Sequence, residues 1–226
     1  MLGMASYDVR FKFPFAWLLA GGSGCGKTTK VLNFLRNHKD LTDNPDCENV
    51  VYFYNQWQSQ FDNVGEDVVN CWIEGLPTHD RVAEVTESFK DRGGSIVIID
   101  DFAHALNEEI ERLFTVFSHH GNCALIFLSQ NLFDKNKHFR TVSLNSQYIT
   151  AFKNPRDRQQ IAALARQLRP DNSIFIVDSY HKATQAPFSY LFFDNHQRTP
   201  EEIRIRSRIL PHESPMLVWQ EKNGRS

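Results

Sequence analysis

The chain alternates compact apolar runs with stretches in which apolar residues recur at helical spacing. Several runs are almost continuously apolar, which is typical of strands that a sheet buries on both faces. Others are shorter and bounded by Gly, Pro, Asn or Asp, which also favours strands. The predicted strands cover residues 15–20, 49–54, 70–76, 95–102, 123–131, 146–152, 188–194 and 202–210.

Helical spacing fills most of the intervals between these runs. The predicted helices cover residues 27–37, 79–94, 107–118, 154–168 and 172–184. Asn107 is placed to cap the third of them, Pro155 lies near the start of the fourth, and Asp171 or Asn172 can cap the fifth. Continuous apolar strands that alternate with helices predict an α/β fold with a central, mostly parallel sheet covered on both faces.

Length and composition agree with one soluble α/β unit. The chain has 226 residues, of which 41% are hydrophobic and 23% charged, and no internal repeat interrupts it. We expect one domain over residues 1–210 and a C-terminal tail over 211–226. The four cysteines are far apart and form no CxxC pair, which favours a reducing intracellular compartment over a zinc or redox site. The apolar run at 13–20 is too short to span a membrane, so no membrane partner is expected.

The segment GGSGCGKT directly follows the first predicted strand and opens the first predicted helix. It matches the P-loop pattern G-x-x-x-x-G-K-[ST], whose backbone N–H groups bind nucleotide phosphates. The lysine places its charge on the β- and γ-phosphates, and the threonine hydroxyl is a ligand for Mg²⁺. ATP and Mg²⁺ are therefore the expected cofactors. The predicted nucleotide-binding residues are Gly21, Gly22, Ser23, Gly24, Cys25, Gly26, Lys27, Thr28 and Thr29, with Lys27 also catalytic and Thr28 also a metal ligand.

Acidic and amide side chains lie at the ends of two other predicted strands. Asp100 and Asp101 end the most apolar strand of the chain, where a Walker B acid belongs. Asp100 is the predicted Mg²⁺ ligand, and Asp101 is expected to orient or deprotonate the attacking water, although many related ATPases carry Glu there. Gln130 lies at the end of the strand predicted over 123–131 and is the predicted sensor of the γ-phosphate.

Four segments together resemble the viral DNA-packaging ATPases of the FtsK–HerA superfamily: GGSGCGKT, IVIIDDF, SHHGNCALIFLSQNLF and RTVSLNSQYITAFKNPRDRQQIAALARQLRP. The resemblance is greatest to packaging ATPases of Polinton-type (Maverick, adintovirus-like) elements and of the poxvirus type, and it runs from about residue 14 to residue 210. It implies a P-loop NTPase three-layer sandwich that works as a homo-oligomeric ring, a pentamer or hexamer. Such a ring threads double-stranded DNA into a preformed capsid, with capsid proteins as partners and the host nucleus, a viral assembly site or the virion as location.

The resemblance also implies an arginine that each subunit supplies to the ATP of its neighbour. Arg140 and Arg156 follow the sensor strand and are the candidates, with Arg158 third.

Charge is distributed unevenly along the chain. Residues 1–120 carry 10 Lys and Arg against 18 Asp and Glu (net −8), whereas residues 121–226 carry 15 against 9 (net +6). A basic second half is compatible with DNA phosphates as partner, and equally with contact between copies of the chain.

The last predicted strand contains three arginines at alternate positions. Arg204, Arg206 and Arg208 are predicted to share one strand face, which either faces DNA or protects an edge strand from aggregation; the second reading is favoured. Two other functions remain open at this stage. One is a nucleoside or small-molecule kinase, and the other is a DNA-binding regulator that ATP switches without motor activity.

Overall fold

The structure is a computed structural model, and it describes residues 7–102, 105–117, 121–156 and 158–221. Its strands are β1 (Ala16–Ala20), β2 (Asn49–Tyr54), β3 (Cys71–Glu74), β4 (Ser95–Asp100), β5 (Cys123–Ser129), β6 (Tyr148–Phe152), β7 (Tyr190–Asp194), β8 (Ile205–Ser207) and β9 (Leu217–Val218). Its α-helices are α1 (Lys27–Leu35), α2 (His38–Leu41), α3 (His79–Thr86), α4 (Glu108–Arg112), α5 (Lys137–Asn145), α6 (Arg158–Leu168) and α7 (Ser173–Ala183). Within these ranges no helix is long and apolar enough to cross a membrane.

The strands that the structure describes form one nine-stranded sheet in the order β3-β2-β4-β5-β1-β6-β7-β8-β9. The first six strands of that order run parallel, and β7, β8 and β9 continue the sheet antiparallel. β5 lies between β1, which leads into the P-loop, and β4, which ends in Asp100. The strands β2 and β3 lie on the far side of β4. The predicted α/β fold with a mostly parallel central sheet is confirmed.

Helices cover both faces of the sheet, which makes the predicted three-layer sandwich. Alternate residues of one strand point into opposite layers, as the pleat of a β-strand requires. Trp17 and Leu19 pack in one hydrophobic core with Val31 and Phe34 of α1. Leu18 packs in the other core, with apolar residues of α3, α4, α5, α6 and α7. Both cores contain buried aromatic rings, and many of the 18 Phe residues of the chain lie in them.

Several helical segments differ from the sequence prediction. α2 was not predicted, and the helix predicted over 79–94 ends at Thr86 and is followed by a 3₁₀ turn over Glu87–Phe89. The helix predicted over 107–118 is an α-helix only to Arg112 and continues as a π-helix over Leu113–Phe117.

α5 was not predicted; it begins after Asn136, whose side chain accepts a hydrogen bond from the N–H of His138, and it buries Phe139 and Val142. The helix predicted over 154–168 begins only at Arg158. Its first residues form a turn instead, because the side chain of Asn154 accepts a hydrogen bond from the N–H of Arg156 and competes with helix formation. The last residue of the helix predicted over 107–118 lies outside the described residues.

The strand predicted over 202–210 is wrong in extent and in the face assigned to its arginines. Residues Glu201–Ile203 form a single 3₁₀ turn, and only β8 is a strand. Arg208 has φ 58°, a left-handed conformation that ends the strand. Arg206 is 2% exposed and forms an ion pair with Asp194 of the neighbouring β7. The three arginines therefore do not share a solvent-exposed face.

Within residues 211–221, a turn and a short strand follow β8 and stay in contact with the sheet. Pro211–Glu213 form a 3₁₀ turn, and Leu217–Val218 pair antiparallel with β8. Trp219 donates a hydrogen bond from its indole N–H to the hydroxyl of Ser207 at 3.1 Å. The C-terminal segment that the structure describes thus extends the sheet by one strand.

Candidate nucleotide site

The P-loop connects the carboxyl end of β1 to the first turn of α1. The N–H of Gly21 donates to the carbonyl of Ser129 at 3.1 Å, which ties the start of the loop to β5. A side chain at Gly21 would lie 2.7 Å from both Sγ of Cys25 and Cβ of Phe152, so only glycine fits there. Gly26 precedes the helix with φ 98°, a conformation that favours glycine. Both glycines are thus required by the shape of the loop.

Lys27 extends over the loop that precedes it. Its ammonium group donates to the carbonyls of Gly21 at 2.6 Å and of Gly22 at 3.2 Å. The N-terminal turn of α1 presents free backbone N–H groups at the same place, and the helix dipole adds positive potential there. The arrangement combines a fixed cation with backbone donors, which is the chemistry that binds phosphate groups.

The hydroxyl of Thr28 and the carboxylate of Asp100 meet beside the loop. Oγ1 of Thr28 donates to Oδ2 of Asp100 at 3.3 Å, and the hydroxyl of Tyr52 donates to the same oxygen at 2.7 Å. Burial raises the pKa of Asp100, while the Tyr52 hydrogen bond and the nearby charge of Lys27 act in the opposite direction. Tyr52 was not singled out from the sequence, because in β2 it has the same pattern as any buried aromatic residue.

A hydroxyl and a carboxylate are suitable ligands for Mg²⁺. This ion prefers oxygen donors, keeps several of its waters and needs only one or two protein ligands when phosphates complete its shell. Thr28 and Asp100 therefore fit the group that the P-loop motif implies, and they are the residues that would hold it.

Asp101 and Gln130 meet at the same edge of the sheet. Each is the first residue after its strand, and β4 and β5 are neighbours in register, with Asp100 opposite Leu128. Nε2 of Gln130 donates to Oδ1 of Asp101 at 3.4 Å. Asp101 is exposed and has φ 67°, a left-handed conformation uncommon for a non-glycine residue. The structure thus brings the predicted water-orienting acid and the predicted sensor together.

The candidate arginines are both exposed. Arg140 lies on the solvent face of α5, opposite the buried Phe139 and Val142, and Arg156 lies in the loop after β6. Within the described residues, neither side chain forms a hydrogen bond or ion pair with the P-loop of its own chain. The structure therefore does not choose between them.

Comparisons with known proteins place this site in a known fold. No protein-family model and no curated protein matches the chain. Solved structures of the genome packaging NTPase B204 from Sulfolobus turreted icosahedral virus 2 do match. The complex with sulfate superposes with a TM-score of 0.57 and 12% identity over 92% of this chain and 97% of that chain. The complex with ATP-gammaS gives a TM-score of 0.55 and 14% identity over 92% and 98%.

A third structure of B204, in complex with AMPPCP, gives a TM-score of 0.54 and 13% identity over 92% of this chain and 98% of that chain. At such identities the likeness shows the fold. The likeness in fold extends over nearly the whole chain. The chain has the P-loop NTPase fold, and it is similar in fold to a viral genome packaging NTPase.

Proposed function

We propose that this protein is an ATPase that uses hydrolysis to move double-stranded DNA into a viral or virus-like capsid. One observation carries the catalytic part of the proposal: Thr28, Asp100, Asp101 and Gln130 gather at one edge of the sheet, beside Lys27 and the P-loop. Ligands of open α/β sheets bind at this edge, outside the carboxyl ends of the parallel strands.

Each of these residues has a distinct part in hydrolysis. The P-loop N–H groups and Lys27 bind and orient the phosphates. Thr28 and Asp100 would hold Mg²⁺, which when bound would offset the negative charge of the β- and γ-phosphates. Asp101 accepts a hydrogen bond from the attacking water and directs it at the γ-phosphorus. Gln130 positions the Asp101 carboxylate through its amide and contacts the γ-phosphate on the same side.

The motor part of the proposal concerns assembly and DNA. An exposed arginine, Arg140 or Arg156, reaches the ATP of the next subunit in a homo-oligomeric ring of five or six copies and stabilises the charge of the transition state. The net +6 of residues 121–226 favours contact with DNA phosphates. The likeness in fold to a packaging NTPase supports the same proposal. Capsid proteins are the further partners, and the protein acts at the viral assembly site.

Two measurements on one sample test this function. ATP turnover is measured with and without double-stranded DNA, and the mass of the ATP-bound assembly is determined by native mass spectrometry. We expect turnover that DNA stimulates, a ring-sized assembly, and no turnover in Lys27→Ala. DNA-independent phosphorylation of a nucleoside would instead identify a kinase. Binding of ATP and DNA by a monomer with no turnover would identify an ATP-switched regulator.

A further inference from the structure

A cavity of about 420 Å³ lies on the face of the sheet that α1 covers, at the end of β1 opposite to the P-loop. This volume is within the range of about 300–1,000 Å³ that is typical of small-ligand sites. The walls are mainly apolar and include Phe11 before β1, Leu41 of α2, Phe192 of β7 and Met216 in the segment after β8. Because Phe11 precedes β1 and the P-loop follows it, the cavity is separate from the nucleotide site.

Four charged residues also line this cavity: Arg10, Arg206, Arg208 and Asp40. Two of the arginines have a carboxylate partner. Asp8 accepts hydrogen bonds from Nε of Arg10 at 2.9 Å and from Nη2 at 3.1 Å, and Asp194 forms the ion pair with Arg206. Arg208 is exposed, and its side chain forms no ion pair or hydrogen bond with any residue that the structure describes. The guanidinium of Arg208 is therefore the uncompensated cation of the cavity.

Two further features of these arginines indicate a binding site rather than a structural one. Nε of Arg206 is buried and has no hydrogen-bond partner among the described residues, although the side chain is only 2% exposed. Buried donors without a partner are rare in folded proteins and call for an explanation, which a bound acceptor would supply. Arg208 has a left-handed backbone with φ 58°, and strain of this kind is retained mainly where a residue serves a ligand.

We propose that this cavity binds the C-terminal residue of a partner polypeptide, with its apolar side chain between the apolar walls and its terminal carboxylate on Arg208. The planar guanidinium can donate two parallel hydrogen bonds to a carboxylate. Asp40 supplies an acceptor for peptide N–H groups, which a fatty acid lacks. A C-terminal residue thus combines the anion, the donor and the apolar group that the lining requires, and capture of terminal carboxylates is an established mode of peptide recognition.

The test compares two peptides that differ only in the charge of the last residue. Acetyl-Ala-Ala-Ala-Phe with a free carboxylate and the same peptide as its C-terminal amide are titrated by calorimetry into the wild type and into Arg208→Gln. Glutamine keeps a Cβ, so the left-handed backbone carries a similar cost in both proteins. Arg166→Gln, which removes an exposed arginine from α6 on the other face of the sheet, is the matched control. Met216→Ala provides a second, independent change in the lining.

We expect the wild type and Arg166→Gln to bind the free acid about tenfold to a hundredfold more tightly than the amide, the usual effect of hydrogen bonds to a charged group. Arg208→Gln should remove this difference. Met216→Ala should weaken both peptides alike, because both lose the same apolar contact. Equal affinities of acid and amide in the wild type would overturn the proposal, as would an unchanged difference in Arg208→Gln or no binding at millimolar concentration.

Two further arms separate this inference from its alternatives. Decanoate has the carboxylate and an apolar body but no N–H group, and it should bind more weakly than the free-acid peptide. Equal or tighter binding of decanoate would identify a site for fatty acids and overturn the peptide proposal. Lys27→Ala should bind the free acid as the wild type does, because the cavity shares no residue with the P-loop. A loss of peptide binding in Lys27→Ala would place the peptide at the nucleotide site and also overturn the proposal.

Discussion

The hydroxyl of Tyr52 donates a hydrogen bond to Oδ2 of Asp100 at 2.7 Å, from the strand next to the one that Asp100 ends. Oγ1 of Thr28 donates to the same oxygen at 3.3 Å. Tyr52 is fully buried, and its ring packs 4.7 Å from that of Trp72 and 5.2 Å from that of Phe61. The packed ring fixes the hydroxyl, and the hydroxyl in turn fixes the orientation of the carboxylate.

Tyr52→Phe should therefore raise the Mg²⁺ concentration that turnover requires, while the fold and the affinity for ATP are kept. A hydrogen bond to a charged group contributes about 1.5–3 kcal/mol, which corresponds to roughly tenfold or more in the half-maximal Mg²⁺ concentration. The measurement is ATP turnover against Mg²⁺ concentration. Tyr54→Phe, two residues along the same strand, is the matched control. Superimposable curves for Tyr52→Phe and wild type would show that Asp100 needs no such support.

Asp101→Asn should separate nucleotide binding from hydrolysis. Asparagine tolerates the left-handed backbone that Asp101 adopts, so the loop should keep its shape. Lys27, Thr28 and Asp100 remain, and ATP should bind as before. Turnover should fall by about 10² or more, because an amide cannot accept the proton or orient the water as a carboxylate does. Affinity and turnover are measured on the same sample, and a parallel loss of both would assign Asp101 to metal binding or folding instead.

Mixing two inactive variants tests the arginine that acts between subunits. Arg140→Ala keeps an intact P-loop but cannot complete the neighbouring site, and Lys27→Ala has the opposite defect. In mixed rings some interfaces join an intact pocket to an intact arginine. Since such an arginine contributes roughly 10³ to 10⁵ in rate, part of the DNA-stimulated turnover should return.

The mixing experiment needs proof that subunits exchange, which native mass spectrometry of the mixed assemblies provides. Leu144→Ala, an exposed residue one turn further along α5, is the matched control and should be active alone. If subunits exchange and activity stays at the sum of the two variants, Arg140 is not the residue, and the same test passes to Arg156.

The buried ion pair between Arg206 and Asp194 predicts a large effect on stability. Arg206 also donates to the carbonyl of Val9 at 2.9 Å, and its guanidinium lies 5.0 Å from the centroid of the Phe192 ring. Arg206→Ala would leave the Asp194 carboxylate buried without its cation. We expect the free energy of unfolding, measured with urea, to fall by about 3–5 kcal/mol. The exposed Arg208→Ala should change it by less than about 0.5 kcal/mol, and equal small effects would contradict this role.

The parts of the site that follow strand ends could be predicted from the sequence. The P-loop, Asp100, Asp101 and Gln130 each come directly after a continuous apolar run, and parallel strands bring such residues to one edge. Arg206 could not be placed in the same way. Its alternation with isoleucines has the pattern of an amphipathic strand, and only the packing of β8 on β7 shows that its partner is Asp194.

Helix α5 was not predicted from the sequence, because its local pattern of apolar residues is weak. It buries few apolar residues, contains Thr and Val, and depends on its Asn136 cap and on packing against α4. Tyr52 has no sequence signal of its own, because its role depends on Asp100, which is 48 residues further along the chain. The role of Tyr52 is decided by tertiary contacts, whereas α5 depends on such contacts together with a local cap.

Movement along duplex DNA is central to the proposed function, and displacement of a triplex-forming strand measures it most directly. The labelled third strand is bound to one end of a linear duplex, and its release is followed after ATP is added. We expect release by the wild type with ATP, and none with the non-hydrolysable analogue AMPPCP or with Lys27→Ala. DNA-stimulated hydrolysis without release of the third strand would contradict it.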